Sequence, residues 1–182
     1  TYPDPECTVL REKIGQRENI QPEHIICGNG AADLIFRTVF AAKPKKALLL
    51  APTFSEYEKA LSAAGCEINF YALKEENDFA LGDDYINVLE GGYDIVFLCS
   101  PNNPTGGELS EQCLLEIVTR CKRLGILPVI DMSFADFSEN TVSANVLAEA
   151  GAAVIKAFTK IYAMPALRLG YMLCCDEELL GK

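Results

Sequence analysis

Apolar and polar positions along this chain fall into short blocks, and the blocks switch repeatedly between a period near two and a period near 3.6. Apolar runs at residues 25–27, 47–51, 94–100, 126–130 and 152–158 have strand length and read as buried strands. Residues 66–73 alternate enough to be a strand as well, and 168–175 read as a last strand.

Between them lie helix-like stretches. Asp4 and Pro5 open one that carries Leu10 and Ile14 on one face and runs to about Arg17. Leu34, Ile35, Phe36, Val39 and Phe40 mark a helix over 31–42, and Thr53 with Glu56 has capping-box spacing for a helix to about Ala64. Residues 74–84 read as a polar loop ahead of a short helix over 85–90. Ser110 caps a helix to about Leu124 with Leu114, Leu115, Ile117 and Val118 inward, and a helical turn closes over 147–151. Short strands alternating with helices predict an α/β fold: a three-layer α/β/α sandwich around a mixed, mainly parallel sheet. The link from the 152–158 strand to the 168–175 strand is too short for a helical crossover, so the last strand is expected to run antiparallel.

Composition narrows the function. The 182 residues suffice for one domain with a substantial core. A formal net charge of -10 argues against a general nucleic-acid surface, so any anion site must be local. No apolar run approaches a membrane span and the start lacks the pattern of a signal peptide, which makes the cytoplasm the expected compartment. Eight cysteines without a C-x-x-C pair, beside the single His24, favour reduced thiols over disulfides or a metal site.

The candidate chemistry lies at strand ends. Gly28-Asn29-Gly30 joins a strand to a helix N-terminus, where free N–H groups and the helix dipole favour a phosphate; glycine at such a turn also serves simply for its backbone freedom. Phe54 sits where an aromatic side chain either covers a flat ring or packs into the core. Pro101-Asn102-Asn103-Pro104-Thr105-Gly106-Gly107 is a rigid turn that fixes both asparagines at the sheet edge. Asp131 ends an apolar strand and needs a cation or a donor. Lys160 follows the 152–158 strand, with Thr159 beside it and Arg168 downstream, a set suited to an aldehyde that also carries a phosphate; taken alone, a lysine after a strand is a solvated surface residue.

In order and spacing, Tyr2-Pro-Asp-Pro5, Gly28-Asn-Gly30, Pro52-Thr-Phe54, the asparagine turn, Asp131, Thr159-Lys160 and Leu167-Arg-Leu-Gly170 resemble the large domain of fold-type I pyridoxal-phosphate enzymes, aminotransferase class I and II. The likeness is greatest to the histidinol-phosphate aminotransferases and the threonine-phosphate decarboxylases. It implies pyridoxal 5'-phosphate as cofactor, with Lys160 forming the Schiff base and later moving the proton, and Asp131 keeping the pyridine nitrogen protonated. By the same resemblance Asn103 donates to the ring's phenolic oxygen and Phe54 stacks on the ring. Backbone N–H groups near Gly30, Ala31 and Ala32, the Thr159 hydroxyl and Arg168 hold the phosphate. Tyr2 reaches the phosphate of a neighbouring subunit, which implies a homodimer, with a small-molecule amino donor or acceptor as the other partner.

Two positions depart from the family pattern. Phe134 stands where many members have a tyrosine, a substitution more at home in the decarboxylase branch, and Ala157 replaces a Ser or Thr that contacts phosphate. The expected organisation is a single large domain over 1–182, without the N-terminal arm and C-terminal small domain of the family. The expected activity is transamination of an amino acid or phosphorylated amino compound, with threonine-phosphate decarboxylation close behind and a non-catalytic cofactor-binding module as the third reading.

Overall fold

The computed structural model describes residues 2–140 and 142–181. Its strands are β1 Ile25–Gly28, β2 Lys46–Ala51, β3 Glu67–Ala72, β4 Ile95–Cys99, β5 Leu127–Asp131, β6 Ala153–Ala157 and β7 Gly170–Leu173. The helices are α1 Thr8–Glu18, α2 Gly30–Ala42, α3 Ser55–Ala63, α4 Tyr85–Val88, α5 Glu111–Leu124, α6 Ala144–Ala150 and α7 Glu177–Leu180. All seven strands join one sheet in the order β1-β7-β6-β5-β4-β2-β3. β2 through β6 pair in parallel, and β7 runs antiparallel to both β6 and β1, as the short link before it predicts.

Side-chain alternation along the strands divides the core. Leu48, Leu50, Val96, Leu98, Ile130, Val154 and Leu173 pack on one face with residues of α1, α5 and α6. Ala47, Leu49, Ile95, Phe97, Val129, Ala153, Ile155 and Met172 pack on the other with α2, α3 and α7. Both faces are therefore covered, the expected three-layer arrangement. Pro128 is tolerated inside β5 because the ladder to β6 begins only at Val129, so its missing N–H falls where β5 pairs with β4 alone. Among the described residues no helix is long and apolar enough to cross a membrane.

Element ends differ from the sequence expectation where a side chain finds a distant or competing partner. Helix α1 starts at Thr8 rather than at Asp4-Pro5, because the Asp4 carboxylate accepts from the Glu6 and Thr8 N–H groups and closes a turn first. Thr53 and Glu56 form no capping box: the Thr53 hydroxyl donates to Asn102 Oδ1 at 3.1 Å, and Glu56 pairs with Lys59. Ser110 does cap α5, accepting from the Cys113 N–H at 3.2 Å, but Leu115 is only half-buried while Cys121 joins Leu114, Ile117 and Val118 in the core.

The register brings the relevant strand ends to one edge. Cys99, Asp131 and Ile155 lie side by side across β4, β5 and β6, while Gly28, Gly170 and Ala157 align across β1, β7 and β6. The start of α2 lies directly against β7, since a Cβ added at Gly170 would sit 2.9 Å from the Gly30 carbonyl carbon and 3.0 Å from the Ala31 nitrogen. That approach admits only glycine without movement of the helix. Gly170→Ala is expected to lower stability by about 1–3 kcal/mol, read from denaturant midpoints. An unchanged midpoint would show that α2 can back away from β7 freely.

Candidate active site

Asp131, the last residue of β5, is 3% exposed. A carboxylate there loses its hydration and must find donors in the protein. The Tyr57 hydroxyl donates to Oδ2 at 2.8 Å, and the Ser133 N–H donates to Oδ1 at 2.9 Å. Tyr57 is itself fixed: it is buried in the first turns of α3, stacks on Phe97 with centroids 4.9 Å apart, and meets Phe54 edge-on at 5.6 Å. Sequence reasoning missed Tyr57. The available signal was a tyrosine just after the Phe54 turn, at the edge where Asp131 lacked a partner.

Burial pushes the Asp131 pKa up, while hydrogen bonds from Ser133 and Tyr57 and the positive charge of Lys160 pull it back. Burial and the neighbouring carboxylate hold Tyr57 well above its ordinary value, so it remains a donor. On the adjacent strand end, burial and then Asp131 push the Cys99 thiol up to about 12.

Beyond β6 the chain turns through Phe158 and Thr159, both half-buried, to an exposed Lys160. The Lys160 ammonium lies 4.9 Å from the centroid of the Phe134 ring, a cation–π contact. Phe134 belongs to the loop that follows Asp131, so the lysine loop and the aspartate loop touch at the sheet edge. Arg168 takes a positive φ of 47° on the way back into β7, and its guanidinium comes within 3.0 Å of where a Gly30 Cβ would stand. It thus borders the start of α2, where the N–H groups of Gly30, Ala31 and Ala32 have no partner within the helix.

The asparagine turn divides its labour. Asn102 is buried; its side-chain amide donates to Pro52 O at 3.1 Å and Thr105 Oγ1 at 2.9 Å while its carbonyl accepts from Thr53. It ties the exit of β4 to the exit of β2. Asn103 is half-buried and its side chain makes no hydrogen bond among the described residues. It borders a cavity of about 320 Å³ that Phe134, Phe137 and Glu108 also line.

The sequence-predicted residues therefore come together as follows. Arg168 lies beside Gly30 at the start of the helix that also carries Ala31 and Ala32; Lys160 touches Phe134 of the loop after Asp131; Phe54 reaches Asp131 through Tyr57; Asn103 and Phe134 share a cavity wall. Tyr2 stands apart, 98% exposed. All eight cysteines are free, and no group of His, Cys, Asp and Glu suited to a metal ion occurs among the described residues.

The raised pKa has a definite sign in stability. The folded state holds the Asp131 proton to higher pH than the unfolded chain, so this group's contribution is fully present below its unfolded value and is lost as pH rises through the folded one. Asp131→Asn does not titrate, so its stability relative to the parent should rise as pH increases from about 4 through the raised folded value, in cofactor-free thermal melts. A difference that stays flat or shrinks with pH would contradict the burial argument.

The sequence model of the family described as aminotransferase class I and II matches residues 1–181. A threonine-phosphate decarboxylase of Salmonella typhimurium is 35% identical over 184 residues, covering 100% of this chain and 50% of that protein. A histidinol-phosphate aminotransferase of Ruminiclostridium cellulolyticum is 28% identical over 181 residues, covering 97% of this chain and 50% of that protein. The solved histidinol-phosphate aminotransferase from Clostridium acetobutylicum superposes with a TM-score of 0.87 at 25% identity, over 100% of this chain and 54% of that one. The chain spans about half the length of the curated relatives it matches. The match over residues 1–181, joined to the shared sheet and helix arrangement, places this chain in the aminotransferase class I and II family of pyridoxal-phosphate-dependent enzymes.

Proposed function

We propose that this chain is the cofactor-binding part of a pyridoxal-phosphate-dependent decarboxylase that acts on a phosphorylated amino acid, threonine phosphate being the first candidate. The observation that carries the cofactor part is a buried Asp131 at the sheet edge where Lys160 rests on the Phe134 ring of the loop that follows it, with Arg168 beside Gly30 at the start of α2. This corner suits a phosphate, because Arg168 and the α2 N-terminus both present donors to it. A carboxylate already held by Tyr57 and Ser133 is suited to pair with a protonated ring nitrogen.

When bound, pyridoxal phosphate supplies an electron sink for the bond broken at the substrate's Cα. The chain's own residues do the rest. Lys160 would hold the cofactor's aldehyde carbon through its ε-amine and would carry a proton to or from Cα. Asp131 keeps the ring nitrogen protonated, and Tyr57 and Ser133 keep Asp131 aimed. Thr159 would offer a hydroxyl to the cofactor's phosphate, Asn103 its unengaged amide to the phenolic oxygen, and Phe54 an aromatic face to the ring.

Decarboxylation is put ahead of the transamination first expected because of the 35% identity to a decarboxylase, together with Phe134, which lacks the hydroxyl that many members of the family carry at that position. Transamination of histidinol phosphate is the second reading, supported by the 28% relative of that kind. We further propose a cytoplasmic homodimer in which the exposed Tyr2 reaches the phosphate of the neighbouring subunit.

The test is to supply the full-length protein with threonine phosphate, and separately with histidinol phosphate and 2-oxoglutarate. Release of carbon dioxide from the first is expected; glutamate formation from the second alone would overturn decarboxylation, and neither product would leave only a binding module. Lys160→Ala should abolish the adduct that borohydride traps between cofactor and protein, as read by peptide mass mapping. An adduct trapped on another lysine in the parent protein would remove Lys160 from its role.

A further inference from the structure

A second lysine lies close to the first in sequence and on the opposite face of the sheet. Lys156, on β6, has a side chain only 10% exposed, and strand alternation directs it to the face that carries Val154 and Tyr171 rather than to the face of Tyr57. Its ammonium lies 3.2 Å from Glu18 Oε1 and 3.3 Å from Asp136 Oδ1. Glu18, 9% exposed, also accepts from the Tyr171 hydroxyl at 2.5 Å. Asp136 accepts from the Tyr162 hydroxyl at 3.1 Å, and Arg17 Nη2 lies 3.5 Å from the same carboxylate. The Arg17 guanidinium covers the Tyr162 ring at 5.2 Å, and the Phe158 ring packs on both Tyr162 and Tyr171 at 5.3 Å.

Two of these partners belong to the loops that form the candidate site. Asp136 stands two positions beyond Phe134 in the loop after Asp131, and Phe158 and Tyr162 flank Lys160 on either side. The network therefore grips both loops from behind and fastens them to the C-terminal end of α1. Two charges removed from water gain little net stability by pairing, and an apolar cluster of similar size would hold the fold as well. What an ionic network adds is geometry: the single Lys156 nitrogen, with its three N–H donors, lies within reach of two carboxylates, one of which accepts from the Tyr162 hydroxyl.

We propose that Lys156 is a positioning residue, whose buried ammonium holds Glu18 and Asp136 so that the lysine loop presents Lys160 toward Asp131 in one orientation before the cofactor arrives. The inference rests on the cofactor reading given above. It concerns the chain's own loops, so binding and labelling report on it without turnover.

The experiment compares the full-length parent protein with Lys156→Met, Lys156→Arg and Tyr162→Phe. Each is mixed with pyridoxal 5'-phosphate, quenched with borohydride over time, and mapped by peptide mass; circular dichroism melts record folding in parallel. Lys156→Met should label Lys160 roughly ten to a hundred times more slowly, as expected of a displaced reacting group, with label spreading to other lysines. Lys156→Arg, which keeps charge and donors, should recover most of the rate. Tyr162→Phe, which removes only the hydroxyl joining Asp136 to the lysine loop, should slow labelling with little change in melting, and it decides the matter if Lys156→Met does not fold. Folded variants that label Lys160 at the parent rate would overturn the positioning role while leaving the cofactor reading intact. A parent protein whose Lys160 takes no label would instead remove the cofactor reading and this inference with it.

Discussion

Burying the Asp131 carboxylate at the end of β5 takes a charged group out of water, and two hydrogen bonds, from the Tyr57 hydroxyl at 2.8 Å and the Ser133 N–H at 2.9 Å, replace part of the hydration it gives up. Neither donor is a cation, so the carboxylate is satisfied in geometry but not neutralised in charge. Its pKa is raised by burial even with Lys160 acting on it, which leaves an acceptor held in place and open to a protonated partner. Tyr57 can hold it only because Phe97 and Phe54 hold Tyr57. The site is thus an extension of the core on the α2 and α3 side of the sheet.

The sheet supplies the rest of the placement. Parallel pairing from β2 to β6 sends their C-terminal ends to one edge, and the antiparallel β7 returns its N-terminal end to that edge with Arg168 just before it. The bare backbone of Gly170 lets α2 approach until its first N–H groups and the Arg168 guanidinium share a small volume. On the far face, Lys156 links Glu18 of α1 to Asp136 of the loop after Asp131. One edge therefore receives a guanidinium beside a helix N-terminus, a buried acceptor and an amine from segments far apart in sequence.

Much of this was legible in the sequence because each strand's own apolar run declares it: every expected strand is present, including the antiparallel direction of β7, which followed from a link too short for a helix. Elements failed at their ends, where a polar side chain had a choice of partners. Asp4 closes a turn before α1, and Thr53 turns to Asn102, 49 positions away, instead of capping α3. The same limit applies to the site. Asp131, Lys160 and Arg168 stand out as candidates by type and by their place at strand ends. Tyr57 and Lys156 do not, since Tyr57 reads as one aromatic on an amphipathic helix and Lys156 interrupts an apolar run in a way that only Glu18 and Asp136, from distant segments, explain. The two adjacent asparagines also look equivalent in sequence; folding buries Asn102 as a brace and leaves the Asn103 amide unengaged.

The most direct measurement is a crystal structure of the full-length protein grown with pyridoxal 5'-phosphate. The account predicts a flat ring between Phe54 and the Lys160 loop, its phosphate against Arg168 and the first turn of α2, and its nitrogen within hydrogen-bond distance of Asp131 Oδ2. A ring bound away from this edge, or one whose nitrogen faces a group other than Asp131, would contradict it.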